Sequence, residues 1–132
     1  MLQKLHSKRG GFTLVEIMIV VAIIALLAAI AVPNFLRARK RSQATKVLED
    51  LRAIDHAIDQ YAIETGKDAS CNPAFDDLKN YIKAGTPLYT TGQDMFGNDY
   101  GPFTVDSVPS VPAAAFATLS DVADTSFWSP YN

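Results

Sequence analysis

The chain has 132 residues, a net charge of −2 and an apolar content of 48%. This length suits one domain, and the apolar content excludes a disordered chain. The single cysteine, Cys71, excludes an internal disulfide framework and a cysteine-based zinc site, and two histidines, His6 and His56, leave little for histidine-based catalysis.

Charge is divided unevenly along the chain. Residues 1–41 contain seven Lys or Arg and one acid, Glu16, whereas residues 42–132 contain five Lys or Arg and thirteen acids. This asymmetry indicates that the two parts of the chain meet different environments.

The N-terminal region has the make-up of an export or anchoring segment. Residues 12–32 form an apolar stretch interrupted only by Thr13 and Glu16, and about 20 such residues are enough for a helix to cross the hydrocarbon core of a membrane. Basic residues lie on both sides of the stretch, so the positive-inside rule does not decide its orientation. They are Lys4, Lys8 and Arg9 before it and Arg37, Arg39, Lys40 and Arg41 after it.

Three interpretations of this stretch compete. It is a permanent membrane anchor, a secretory signal cut after Ala31 in the small-x-small string Ala29-Ile30-Ala31, or a segment that is kept after a cut upstream of it. Glu16 argues against the first two, because a carboxylate at the bilayer centre costs about 2.5–3.5 kcal/mol. A position near the interface would lower that cost, so the residues by themselves leave the alternatives open.

The string Gly10-Gly11-Phe12-Thr13-Leu14-Val15-Glu16 stands between the basic leader and the apolar stretch. Together these parts resemble the N-terminal motif of the type IV pilin family, which includes the pseudopilins of type II secretion. The resemblance implies a leader at residues 1–11, cleavage by a prepilin peptidase after Gly11 and N-methylation of the new amine of Phe12. It also implies that Glu16 selects and positions subunits during assembly.

The same resemblance implies a cellular route and a set of partners. The precursor would be a single-pass inner-membrane protein with its head on the periplasmic side, surrounded by lipid, and an assembly platform and an ATPase would move it into a helical homo-oligomeric filament in the periplasm or on the cell surface. The basic cluster at residues 37–41 is expected near lipid phosphates or acids of neighbouring subunits. Nucleic acid is not an expected partner.

Two features of the apolar stretch bear on assembly. In a filament, Glu16 of one subunit would pair with the Phe12 amine of its neighbour, and the cost of unpaired buried charges would make this pair specify register. Pro33 removes a backbone donor and predicts a kink or break in the helix. Ala25, where many relatives carry glycine, favours helix over local unwinding.

The second half of the helix is amphipathic. Apolar residues recur at alternating spacings of four and three, which predicts one buried face, and Gly66 is the expected C-cap. The predicted helix therefore covers residues 12–65. The stripe consists of Val47, Leu51, Ile54, Ile58 and Tyr61, widened by Leu48 and Ala57, and the acids expected off it are Glu49, Asp50, Asp55 and Asp59.

Residues 66–132 are predicted to form a small globular head. We expect a short helix at 76–84, a hairpin at 92–105 around the turn residues Gly97-Asn98-Asp99, and an extended segment at 108–112. The C-terminal Phe127-Trp128 is expected to pack the head against the helix. The predicted fold is therefore α+β, a long N-terminal helix packed against a head with a short antiparallel sheet.

The head also carries a weaker resemblance to one branch of the family. Residues 94–100 resemble the Asp-x-Trp-Gly-Asn-x-Tyr segment of the major pseudopilin, with Phe96 in place of Trp. The disulfide that closes many larger pilins cannot form from Cys71 alone. The resemblance implies calcium in a C-terminal loop, but the Gly- and Asp-rich run of that loop is missing here. Asp121 and Asp124, with Ser120, Thr125 and backbone carbonyls, are weak candidate ligands, and no cofactor is otherwise expected.

We therefore expect a structural filament subunit rather than an enzyme, since the sequence has no recognisable catalytic motif. A type II secretion pseudopilus, which exports proteins, is favoured. The alternatives are a surface pilin for adhesion, twitching or DNA uptake, a soluble module released after Ala31, and a permanent single-span anchor.

Overall fold

The computed structural model describes residues 10–132. These residues divide into two compact units, one that ends at Leu36 and one that comprises Arg37–Asn132. One long helix belongs to both units, and short helical segments make up the regular structure of the rest. The elements are α1 (Leu14–Thr65), α2 (Phe75–Leu78) with a 3-10 turn (Lys79–Tyr81) after it, α3 (Pro87–Thr91), α4 (Ala113–Leu119) and α5 (Thr125–Trp128).

Helix α1 confirms the predicted long helix, although it starts at Leu14 rather than at Phe12. It ends as predicted, because Gly66 adopts the left-handed conformation (φ 65°) and donates its N–H to the Ala62 carbonyl at 2.9 Å. The helix continues through Pro33, so the expected break is absent. The kink at Pro33 stays a prediction.

The first unit exposes its apolar side chains. Residues of α1 from Leu14 to Leu36 are exposed throughout, and the most apolar window of the helix has a mean hydropathy of 3.0. By length and composition this segment can cross a membrane. Within the described residues, no other part of the chain buries this half of the helix.

The second unit buries the predicted stripe of α1. Val47, Leu51, Ile54 and Ile58 are at most 1% exposed, and Tyr61 is partly buried. Burying one such aliphatic side chain contributes about 1.5–3 kcal/mol, so this face anchors the rest of the unit to α1. The side chains that complete this core include Leu78, Leu88, Phe103, Val105, Leu119 and Trp128.

Two acids predicted to lie off the stripe have hydrogen-bond partners in the second unit. Asp50 is only 7% exposed; its carboxylate accepts hydrogen bonds from Lys46 Nζ at 2.9 Å and from the Tyr100 hydroxyl at 3.4 Å. Asp55 is half-buried and accepts from the Tyr131 hydroxyl at 3.3 Å. The prediction was wrong for Asp50, because these partners satisfy a carboxylate whose burial would otherwise be unfavourable.

The predicted antiparallel sheet is absent from residues 10–132, so the β part of the predicted fold class was wrong. A lone antiparallel bridge between Gln93 and Asp99 marks the expected hairpin in this range. The turn is at the predicted place, but the side chain of Asp94 closes it, and Pro102 then removes a donor that a growing ladder would need. The expected extended segment at 108–112 joins no sheet.

The remaining head predictions are partly confirmed. The helix expected at 76–84 is shorter, α2 followed by the 3-10 turn, and it buries Leu78 and Ile82. Helix α3 was not expected, because its five residues are too few to show a helical period. Trp128 is fully buried in the core that α1 shares, which confirms the predicted packing of the C-terminal segment.

Candidate functional site

The predicted cleavage point lies immediately before α1. Gly11 and Phe12 are outside the helix, and the Phe12 side chain is 85% exposed. Nothing in the described chain lies within 4 Å of where a Cβ on Gly11 would be. A peptidase can therefore reach the bond between these two residues without unfolding a helix. Most of the predicted leader, residues 1–9, lies outside the described residues.

Thr13 and Glu16 form a reciprocal cap at the start of α1. The Thr13 N–H donates to Glu16 Oε2 at 2.9 Å, and the Glu16 N–H donates to Thr13 Oγ1 at 3.2 Å. This is the capping box of a Thr-x-x-Glu string, and it explains why the helix begins at Leu14. The Thr-x-x-Glu spacing is present in the sequence, but the capping role of Glu16 was not predicted from it.

The capping box gives Glu16 a partner within its own chain. Backbone N–H groups at a helix start have no intrahelical acceptor, and the helix dipole favours an acid there. In an apolar medium these bonds lower the cost of carrying a carboxylate. They engage Oε2, so the second oxygen of the carboxylate is chemically able to accept from a cation of another chain.

The basic cluster at the end of the apolar stretch divides into two pairs. Arg37 and Arg39 are exposed. Lys40 Nζ lies 2.8 Å from Asp121 Oδ2, and Arg41 Nη1 donates to the Val122 carbonyl at 2.7 Å. These intrachain contacts were not predicted, because the partners are 81 residues apart and no sequence signal joins them.

Asp121 and Asp124, the weak calcium candidates, both have protein partners. The hydrogen bond from Lys40 lowers the pKa of Asp121. Asp124 is the N-cap of α5; hydrogen bonds from the Ser126 hydroxyl and the Phe127 N–H lower its pKa. Among residues 10–132 no three His, Cys, Asp or Glu side chains come together as a metal site.

The segment that resembles the major pseudopilin is a tight turn closed by Asp94. This buried carboxylate accepts from the Phe96 and Asn98 N–H groups at 2.8 and 2.9 Å and from the Asn98 side-chain amide at 2.9 Å. Tyr100 leads back into the core, where burial and the nearby Asp50 raise its pKa well above the ordinary value. Met95 and Phe96 are left exposed on the turn.

His56 and Cys71 show no sign of a catalytic or metal-binding role in the described residues. His56 is exposed on α1. Cys71 is partly buried, and its carbonyl accepts from the Val105 N–H at 3.0 Å. Neither lies in a cluster with metal-ligating side chains within the described residues.

Comparison with known proteins identifies the family. The Prokaryotic N-terminal methylation motif matches residues 6–32. The type II secretion system core protein G of Escherichia coli K12 is 32% identical over 104 residues, which cover 71% of each chain. The chain belongs to the type IV pilin and type II secretion pseudopilin family. The prediction made from Gly11, Phe12 and Glu16 is thereby confirmed at the level of the family.

Other relatives come from both branches of the pilin and pseudopilin family. Core protein G of Vibrio cholerae is 30% identical over 106 residues, 74% of this chain and 72% of that protein. Fimbrial protein Q of Moraxella bovis is 38% identical over 112 residues, 85% of this chain and 64% of that protein. No solved structure matches the chain. Members of this family are structural subunits rather than enzymes.

Proposed function

We propose that this chain is a major-type pseudopilin of a type II secretion system. Membership of the pseudopilin family makes it an inner-membrane-anchored subunit that prepilin peptidase processes and that assembles into a pilus-like filament for secretion. The observation that carries the proposal is the similarity to core protein G over 71% of the chain, and the accessible Gly11–Phe12 bond directly before the capping box of Thr13 and Glu16 agrees with it. Cleavage there and N-methylation of Phe12 are the proposed maturation steps.

Before assembly, the exposed apolar half of α1 lies in the inner membrane, and the second unit lies on the periplasmic side. This orientation is what membership of the pilin family implies, since the basic residues on both sides of the apolar stretch do not decide it. Arg37 and Arg39, both exposed, are then placed to meet lipid phosphates.

During assembly, the apolar half of α1 leaves the lipid and packs against the apolar halves of the same helix in other subunits. An inner-membrane platform and an ATPase supply the work of extraction. Because lipid and filament core are both apolar, the exchange by itself specifies no register. Glu16 specifies it by accepting, through its second oxygen, the cationic amine of Phe12 from a neighbouring subunit, since a subunit out of register leaves both charges unpaired in an apolar medium.

A surface type IV pilin is the second candidate. The similarity to fimbrial protein Q over 85% of the chain favours it, whereas the similarity to core protein G and the Asp94–Tyr100 turn favour the pseudopilin. Nucleic-acid uptake is not part of the proposal, because Lys40 and Arg41 of the basic cluster are engaged within the chain.

Deletion of the encoding gene separates the two candidates. For a pseudopilin we expect exported proteins to accumulate in the periplasm while surface fibres and twitching persist. For a surface pilin, fibres and twitching disappear while secretion continues. Complementation with the unaltered chain is the control, and a deletion that changes neither property contradicts both functions.

A further inference from the structure

The loop between α4 and α5, residues 120–124, is held by two cations of α1. Lys40 forms an ion pair with Asp121 at 2.8 Å, and Arg41 donates to the carbonyl of Val122 at 2.7 Å. The Arg41 guanidinium also lies 4.6 Å from the centre of the Phe127 ring, a cation–π contact. A surface groove of about 460 Å³ follows the loop, and Arg41 lines it.

Resemblance to the major pseudopilins implies calcium at a C-terminal loop, and these residues do not fit that ion. Calcium takes six to eight oxygen ligands. Here one Asp121 oxygen is bonded to Lys40, the Val122 carbonyl is bonded to Arg41, and Asp124 Oδ1 accepts from Ser126 and Phe127. A divalent ion would have to displace these donors and would be repelled by two positive side chains nearby.

We propose that Lys40 and Arg41 take over the structural role of calcium, so that the second unit folds and keeps its C-terminal loop in place without a divalent metal. A cation supplied by α1 does not dissociate, and it ties the loop directly to the helix that carries the core stripe. This proposal concerns the stability of the second unit and does not depend on which filament the subunit builds.

The two cations contribute unequally. Lys40 and Asp121 are each about half exposed (42% and 55%), and ion pairs at such positions are weakened by water and salt. Arg41 is also exposed, but it makes two contacts, a charge-assisted hydrogen bond to a backbone carbonyl and a cation–π contact with an aromatic ring. Loss of Arg41 should therefore loosen the loop more than loss of Lys40.

The first test compares metal conditions on the full chain in detergent micelles. Trp128 is the only tryptophan and is fully buried, so its near-ultraviolet circular dichroism reports the unfolding of the second unit. We expect the same Tm in calcium chloride and in EGTA. A higher Tm in calcium than in EGTA would overturn the proposal.

The second test removes the cations one at a time. Arg41→Gln should lower the Tm by about 4–8 °C, and Lys40→Gln by less. Arg39→Gln is the matched control, since Arg39 is exposed two residues away, and it should leave the Tm unchanged. Equal Tm values for Arg41→Gln and Arg39→Gln would overturn the proposal.

A charge swap keeps the proposal testable if Arg41→Gln does not fold. Lys40→Asp alone sets two acids against each other at the loop, and adding Asp121→Lys restores an ion pair of reversed sense. We expect the single change to increase hydrogen exchange at residues 120–124 and the double change to restore part of the protection. Absence of any recovery would contradict the ion pair.

Discussion

The two halves of α1 have the same backbone and opposite surroundings. From Leu14 to Leu36 the helix is apolar on every side and exposed, whereas from Arg37 to Thr65 it presents one apolar face that the rest of the second unit covers. The second half finds its partners within its own chain, and the first half must find them elsewhere, first in lipid and then in other subunits. This difference explains how one chain can be a membrane precursor and a filament subunit.

Trp128→Ala should strongly destabilise the second unit and leave the first unit unaffected. Truncation of a fully buried tryptophan costs about 3–5 kcal/mol, a large part of the stability of a unit this size. We expect thermal unfolding of the full chain in detergent, followed by circular dichroism, to shift by well over 10 °C.

Ile63→Ala is the control for this change, because Ile63 is 83% exposed on the same unit and should have almost no effect. Membrane insertion and cleavage after Gly11 should continue in both variants. Equal unfolding temperatures for the Trp128→Ala and Ile63→Ala chains would contradict the described core.

The sequence predicted the parts of this fold that local periodicity controls. The helix, its end at Gly66 and the stripe from Val47 to Ile58 follow from spacing and capping, which act over a few residues. The sheet was predicted from turn residues and β-formers near Gly97, but whether a ladder grows depends on donors beyond the turn, and Asp94 closes the segment on itself instead.

The long-range polar contacts could not be predicted from sequence. Asp50 was expected off the stripe from its position in the helical repeat, and its partner Tyr100 is 50 residues away along the chain. Lys40 and Arg41 were expected near lipid phosphates or acids of neighbouring subunits, whereas their partners lie 81 residues away in the same chain. The capping box of Thr13 and Glu16 was predictable, since its three-residue spacing is a local signal.

Glu16→Leu should impair filament assembly through the first unit without destabilising the second unit. Loss of the carboxylate removes both the cap and the pairing group proposed for assembly, so we expect sedimentable filaments to fall by tenfold or more, about 1.4 kcal/mol of assembly free energy. The Tm of the second unit should stay unchanged. Glu49→Gln, an exposed acid on the same helix, serves as the control, and normal filament yield from Glu16→Leu would refute the role of Glu16.

Thr13→Val should loosen the first turn of α1. It keeps the β-branched shape and removes the hydroxyl that accepts from the Glu16 N–H, a loss of about 0.5–2 kcal/mol at the helix start. Faster hydrogen exchange at residues 14–17 in micelles is the expected readout. Thr13→Ser retains the hydroxyl and should behave like the unaltered chain; if both variants exchange alike, the capping box does not operate in that medium.

The smallest expected effect is a pH dependence at the C-terminal loop. Lys40 lowers the pKa of Asp121 in the folded chain, so the stability from this pair is present above the ordinary carboxyl pKa of about 4 and is lost as the pH falls through the lowered value. Asp121→Asn should therefore be less stable than the unaltered chain at pH 7, with the Tm difference closing in acid. A difference that stays constant with pH would mean that charge is not involved.

We infer that the apolar half of α1 is kept, and is exposed to other subunits, after a cut between Gly11 and Phe12. Mass spectrometry of the mature N-terminus, on protein purified from its own cells, tests this most directly. We expect a chain that begins at N-methylated Phe12. A chain that begins at Val32 would show that the apolar stretch is a discarded signal, and one that keeps Met1 would show a permanent anchor; either result would contradict the account.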